Sequence, residues 1–267
     1  MRNNMKDLPA ITYPGAKHKY MPFIRQFSNR FDDKPVLDAF CGGLGFSMNC
    51  QRNVICNDIN TPLIDMYKKM KSSSINDIVQ IIEDFNLNDK DSAPFYNLSK
   101  EYDKTKNGLY LYVLHLFSFS SLIRFSSNGN YNAAFANRAK YSRTSFNKSQ
   151  QDKFSEFKNR QHRFTFSNKS FRDLDFENKN LFIDPPYLST KFKYSGWEEK
   201  DELELLDKIK RSKSKFIITN NLSDDINNYI LKDWALSNNF KIEYFETMYR
   251  KQKKGASFQT EVLIHNM

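Results

Sequence analysis

The sequence predicts an α/β fold built on an open, mostly parallel sheet, and three short apolar runs carry that reading. They are Val36-Leu37-Asp38-Ala39-Phe40, Asn53-Val54-Ile55-Cys56-Asn57 and Asn180-Leu181-Phe182-Ile183-Asp184, each with the character of a buried parallel strand. Each ends in or near a polar residue. Ligands of open α/β sheets bind beyond the carboxyl ends of the strands, so Asp38, Asp58 and Asp184 are expected to converge on one crevice.

Further elements follow in order. Glu202 to Lys210 reads as a helix from the spacing of Leu203, Leu206 and Ile209, and Lys215 to Asn220 reads as a further buried strand that continues the parallel sheet. Phe240 to Met248 and Thr260 to Asn266 are β-rich and form an expected closing antiparallel pair. Their connection, Tyr249 to Gln259, carries Arg250, Lys251, Lys253 and Lys254. Between Asn57 and Asn180 the interval is far too long for an ordinary connection, so it holds an inserted, mainly helical subdomain. Ile75 to Phe85 and Leu109 to Phe119 have helical spacing there, and Arg124 to Arg143 reads as a hairpin or long loop around the turn Ser127-Asn128-Gly129-Asn130. The expected division is residues 1–60 and 160–267 for the core domain, with 61–159 inserted.

Lys and Arg number 41 against 31 Asp and Glu, a formal net charge of +10, which favours a polyanionic partner. The 24 Phe and 14 Tyr are mostly core, with some free to stack on bases. The three cysteines, Cys41, Cys50 and Cys56, contain no CxxC pair, and His18, His115, His162 and His265 lack ligand spacing, so no disulfide framework or metal site is expected. Met1 to Leu8 lacks the apolar stretch of a signal peptide, and no run approaches the ~18 residues of a membrane span. A cytoplasmic monomer is the expectation.

Asp184-Pro185-Pro186-Tyr187, directly after a predicted strand, is the most informative segment. Two prolines fix the backbone and remove two donors, which leaves rigidly presented carbonyls beside a carboxylate and a flat ring. An exocyclic NH2 can donate one hydrogen to Asp184 and the other to the Pro185 carbonyl while Tyr187 stacks on an extruded base. The nitrogen lone pair is then available to attack a methyl sulfonium.

A second segment, Asp38-Ala39-Phe40-Cys41-Gly42-Gly43-Leu44-Gly45-Phe46, is a strand running into a glycine-rich turn where backbone can approach a ligand. It does not match GxGxxG and has no phosphate-binding lysine, which argues against a dinucleotide site or a P-loop. Asp58, at the end of the second strand, is placed to accept both hydroxyls of a ribose. Tyr13-Pro14-Gly15-Ala16-Lys17 combines an aromatic, a tight turn and a cation that can pair with a ligand carboxylate. Together these describe a pocket for an amino-acid-bearing nucleoside such as S-adenosylmethionine.

In this order the segments closely resemble the Dam-type, or D12 class, DNA adenine methylases, over the chain from Tyr13 to Asn266. The resemblance implies a Rossmann-like class I methyltransferase sheet with an inserted target recognition domain that carries a β-hairpin and binds double-stranded DNA. It further implies cofactor contacts from Tyr13, Pro14, Gly15, Lys17, Asp38, Phe40, Cys41, Gly42, Asp58, Ile59 and Asp184, with Ser170 and Phe171 flanking the adenine. Leu116 to Arg124 resembles the family's DNA-reading hairpin. Arg124 is then the bidentate reader of guanine, Leu122 a contact to a thymine methyl, and Phe119 with Ser120 the wedge that fills the flipped base's place. Asn132, Ala134 and Arg138 form its far side.

The chain departs from the family there: Asn132-Ala133-Ala134-Phe135-Ala136-Asn137-Arg138 replaces a proline and a glycine by Ala134 and Ala136. GATC is the expected site. Three functions stay open at this point: adenine-N6 methylation of DNA, methylation of another exocyclic amine (cytosine N4 or RNA adenine), and DNA binding without catalysis. A cognate restriction endonuclease is a compatible partner. Plainer readings hold for Lys140 and Arg143 as phosphate contacts, for Phe46 and Met66 as core, and for Glu261 as a structural polar residue of the closing pair.

Overall fold

Alternate residues of a strand face opposite sides of a sheet, and here both sides are apolar. Val36, Phe182, Ile217 and Leu263 belong to one buried cluster, while Leu37, Leu181, Ile183, Phe216, Ile218, Val262 and Ile264 belong to the other. The sheet is therefore the middle layer of three. The computed structural model describes residues 8–142, 144–188, 196–223, 229–244 and 259–267.

Among the described residues the strands are β1 (Val36–Asp38), β2 (Val54–Asn57), β3 (Phe164–Ser167), β4 (Asn180–Ile183), β5 (Phe216–Ser223), β6 (Lys241–Tyr244) and β7 (Gln259–His265). They lie in the order β3-β2-β1-β4-β5-β7-β6. Neighbours from β3 to β5 pair in parallel, and β7 pairs antiparallel with both β5 and β6. This is the Rossmann-like sheet with a closing antiparallel pair that the sequence predicts. The winding reverses between β1 and β4, so the crevice for ligands opens at the carboxyl ends of those two strands.

The described helices are α1 (Met21–Ser28), α2 (Thr61–Ser72), α3 (Ile75–Asp84), α4 (Ala93–Thr105), α5 (Gly108–Phe117), α6 (Lys148–Arg160), α7 (Glu199–Ser212) and α8 (Tyr229–Ser237). Helices α7 and α8 cover one face through Leu205, Leu206, Ile209, Leu231 and Ala235. Helices α1 to α6 share the other face's cluster, so the buried residues of 61–159 and the sheet form one continuous core. Helix α5 meets α2 at Gly108, where an added Cβ would lie 2.5 Å from the Asp65 carbonyl oxygen. Only a residue without a side chain permits that approach.

Two expectations change. Strand β3 was not predicted, because Phe164-Thr165-Phe166-Ser167 at the sheet's edge is short and follows a basic, helical segment. Residues 118–135 make a hairpin-shaped excursion held by two isolated antiparallel bridges, Ser118 with Phe135 and Phe125 with Tyr131, in place of continuous strands. The first closing strand is described only to Tyr244, and Arg143, Arg250, Lys251, Lys253 and Lys254 lie outside the described residues. Among the described residues no helix is long and apolar enough to cross a membrane.

Candidate active site

Asp184 follows β4 at the point where the sheet reverses. Its Oδ1 accepts from the Thr219 hydroxyl at 2.8 Å and from the Tyr187 hydroxyl at 3.2 Å, and the Lys17 ammonium stands 3.1 Å away. Lys17 is itself buried and also donates to the Gly15 carbonyl at 2.8 Å. The turn before it has the pattern of type II: Pro14 at the second position, Gly15 at φ 77°, and the Ala16 amide on the Tyr13 carbonyl at 3.3 Å. The sequence reading gave Lys17 to a ligand's carboxylate. The structure pairs it with the half-buried Asp184, because a buried ammonium needs a counter-charge.

Tyr187 is fixed at both ends. Lys17 Nζ lies over its ring, 4.8 Å from the centroid, and its hydroxyl is 3.2 Å from Glu261 Oε2 on β7. One hydroxyl hydrogen thus faces two carboxyl oxygens. Burial pushes the Glu261 carboxyl up, opposed by Lys17 and reinforced by the Asp184 charge. Glu261 and Thr219 were not foreseen as part of this site. Thr219 lies in the predicted run Lys215 to Asn220, one step beyond the last β4–β5 pair, Ile183 with Ile218, just as Asp184 is one step beyond it on the other strand.

Asp38 lies beneath the glycine turn, buried, with Oδ2 accepting from the Ser47 hydroxyl at 2.6 Å. Its Oδ1 is buried without a hydrogen-bond partner among the described residues. Burial, with the nearby Asp184 and Asp58 charges, pushes its carboxyl up to about 8, against the Ser47 hydrogen bond. The three acids thus stand at the carboxyl ends of three adjacent parallel strands, close enough for the charges of Asp58 and Asp184 to act on Asp38. Ser47 is a further residue that the sequence did not single out.

The glycine turn is shaped partly by the protein itself. A Cβ on Gly43 would fall 2.7 Å from the Tyr13 Cβ and 3.2 Å from the Ile11 carbonyl oxygen, so Gly43 makes room for Tyr13 and not only for a ligand. Gly42, at φ 42°, donates its amide to Asp58 Oδ2 at 3.0 Å and accepts from the Tyr67 hydroxyl at 2.6 Å. Asp58 Oδ1 accepts from the Asn60 amide at 2.9 Å. Each oxygen keeps lone-pair capacity for a hydroxyl donor. Ile59 is 72% exposed beside it, an apolar surface open to a flat partner. Cys41 is buried, and Phe40 packs against Phe171 and Trp197 at ring separations of 6.2 and 5.7 Å. Ser170 caps the turn at Phe171 by accepting from the Arg172 amide at 3.3 Å. No group of three or more His, Cys, Asp or Glu suited to a metal occurs among the described residues.

The excursion after α5 presents a second set of candidates. Phe119 is 62% exposed, and the next two residues, Ser120 and Ser121, both have positive φ, 55° and 51°. Arg124 is exposed and forks onto Asn132, Nε to the side-chain oxygen at 2.9 Å and Nη2 to the carbonyl at 2.8 Å. Those bonds leave N–H groups on its outer edge and pre-set its direction. The Leu122 carbonyl accepts from Ser118 and Tyr131, and Ala134 is exposed while Ala136 is buried. Arg138, expected at the DNA, faces inward: it donates to the Leu116 and Ser118 carbonyls at 3.2 and 3.1 Å and to Ser145 Oγ at 3.2 Å. Carbonyls left open by the irregular loop claim its guanidinium.

With this geometry in view, comparison with known proteins decides the family. The profile of the D12 class N6 adenine-specific DNA methyltransferases matches residues 13–251. The chain belongs to that family. It is 29% identical to type II methyltransferase M.FokI from Planomicrobium okeanokoites and 27% identical to modification methylase StsI from Streptococcus sanguinis. Each match covers 96% of this chain, which spans 42% of the length of either relative. Type II methyltransferase M1.LlaDCHI from Lactococcus lactis subsp. cremoris is 24% identical over 99% of this chain and 97% of its own.

The raised carboxyl of Asp38 yields a test. A group whose pKa is higher folded than unfolded contributes stability that is complete below its unfolded value and is lost as pH rises through its folded value. For Asp38 that window runs from 3.8 to about 8. Asp38→Asn keeps the shape without the titration. In urea unfolding, the variant is expected to gain on the wild type by a few kcal/mol between about pH 5 and about pH 8.5. Parallel profiles would show that Asp38 does not hold this proton.

Proposed function

We propose that the chain transfers a methyl group from S-adenosylmethionine to the N6 amine of an adenine turned out of duplex DNA, with GATC as the sequence read. The observation that carries this reading is the Asp184-Pro185-Pro186-Tyr187 segment at the sheet's switch point, in a chain of the D12 class.

The cofactor lies along the crevice. Asp58 accepts the ribose hydroxyls, Ile59, Ser170 and Phe171 flank the adenine ring, and Phe40, Cys41 and Gly42 form the wall. Asp38 lies beneath that wall, and Tyr13, Pro14, Gly15 and Lys17 stand at the amino-acid end. The spare lone pairs on Asp58 and the unpaired, buried Asp38 Oδ1 support this fit. When bound, S-adenosylmethionine supplies a methyl group on a positively charged sulfur.

The chain's own part is positioning. Asp184 accepts one hydrogen of the target amine and the Pro185 carbonyl the other, which draws the lone pair onto the nitrogen, while the Tyr187 ring stacks on the base. The surplus proton leaves the nitrogen after the new N–C bond has formed, so the barrier falls through alignment and no strong base is needed. Lys17, 3.1 Å from Oδ1, supplies the counter-charge beside this acceptor.

Residues 61–159 form the DNA-binding part on the core of 1–60 and 160–267. Arg124, steadied by Asn132, reads guanine in the major groove, Leu122 meets a thymine methyl, Ala134 lies at the surface beside them, and Phe119 with Ser120 fills the gap left by the extruded base. Arg138 supports this loop from inside. The net charge of +10 suits a polyanion. The setting we propose is a cytoplasmic monomer beside a cognate restriction endonuclease, which the modification methylases among its relatives support.

Incubation with labelled S-adenosylmethionine and unmodified duplex DNA is expected to give N6-methyladenine, and Asp184→Ala to lower the transfer rate by about 100-fold or more with the fold intact. N4-methylcytosine as the sole product would replace adenine by cytosine as the target, and an active Asp184→Ala would remove the carboxylate from the chemistry. Arg124→Ala is expected to lose about 1–3 kcal/mol of discrimination at one base pair. Unchanged site preference would exclude Arg124 as a reader.

A further inference from the structure

The contacts to the Asp184 carboxylate fall on one of its oxygens. Among the described residues, Thr219, Tyr187 and Lys17 all approach Oδ1, at 2.8, 3.2 and 3.1 Å. These three partners differ in how firmly they are held. Lys17 is an ammonium on a flexible stem and is shared with the Gly15 carbonyl. Tyr187 is shared with Glu261. Thr219 has neither freedom. It is fully buried, its branched side chain is stiff at χ1, and its strand is clamped between β4 and β7. The register pairs Ile183 with Ile218, so Asp184 and Thr219 are the next step along two adjacent parallel strands.

We propose that Thr219 is a positioning residue for methyl transfer: its hydroxyl anchors Asp184 by Oδ1, so that Oδ2 is the oxygen presented to the target amine. The proposal rests on the adenine-methylation reading above. A carboxylate hinged only at its Cβ can rotate, and an acceptor displaced by about 1 Å can lose on the order of 100-fold in rate. Sheet geometry removes that freedom because the anchor and the acid belong to neighbouring strands. Lys17 can then move to a ligand's carboxylate without releasing Asp184.

The opposing explanation is that Thr219 merely satisfies a buried hydroxyl. The two separate in kinetics. Thr219→Val keeps the branched shape and removes the hydroxyl, and Thr219→Ser restores the hydroxyl without the methyl. Single-turnover transfer from labelled S-adenosylmethionine to duplex DNA is expected to fall about 10- to 100-fold in Thr219→Val, with Kd for cofactor and DNA within about twofold of wild type, and to recover in Thr219→Ser. Urea midpoints for both variants confirm that the folded enzyme is being compared. Wild-type transfer rates in Thr219→Val, or equal losses in both variants, would overturn the positioning role. A wild-type chain that transfers no methyl group to DNA would overturn the adenine reading as well.

Discussion

The β4–β5 pairing at the sheet's switch point sets the geometry on which the site depends. It places an acid and a hydroxyl side by side at the carboxyl end of the sheet, where the Thr219 hydroxyl donates to Asp184. The flanking apolar layers hold the strands in register, since a slip of one residue would exchange the two buried faces. Core packing is thereby transmitted to the direction of one carboxylate.

Concentrating acids at strand ends is electrostatically expensive, and the protein meets the cost in three ways. Asp184 faces a buried ammonium. Asp58 is pushed up by burial and restrained by two backbone N–H groups. Asp38 takes up a proton, and Glu261 is pushed the same way. Each device suits its position: a counter-charge where the acid meets the crevice, and hydrogen bonds or a raised pKa where it is enclosed.

The parts of this arrangement that depend on local pattern were legible in the sequence. Strands β1, β2, β4 and β5 announced themselves as apolar runs, and their terminal acids marked the crevice. Strand β3 did not, because two phenylalanines in a four-residue edge strand carry little periodicity. The partners of Asp184 and Tyr187 were hidden for another reason. Thr219 is 35 positions from Asp184 and Glu261 is 74 from Tyr187 along the chain, and only sheet order brings them together. Lys17 was recognised as a cation for the site, but its pairing with Asp184 was not, since a turn motif gives reach but not partner. Arg138 shows the same limit: a basic residue in an Asn-rich loop reads as a surface contact until the loop's unpaired carbonyls are known.

A crystal structure of the chain with S-adenosylhomocysteine and a duplex that contains the proposed site tests the role of Asp184 most directly. The proposed function predicts an adenine outside the helical stack with its N6 within about 2.7–3.2 Å of Asp184 Oδ2, Thr219 still on Oδ1, and the Tyr187 ring against the base. An adenine that stays stacked in the duplex, or an N6 that meets a side chain other than Asp184, would contradict it.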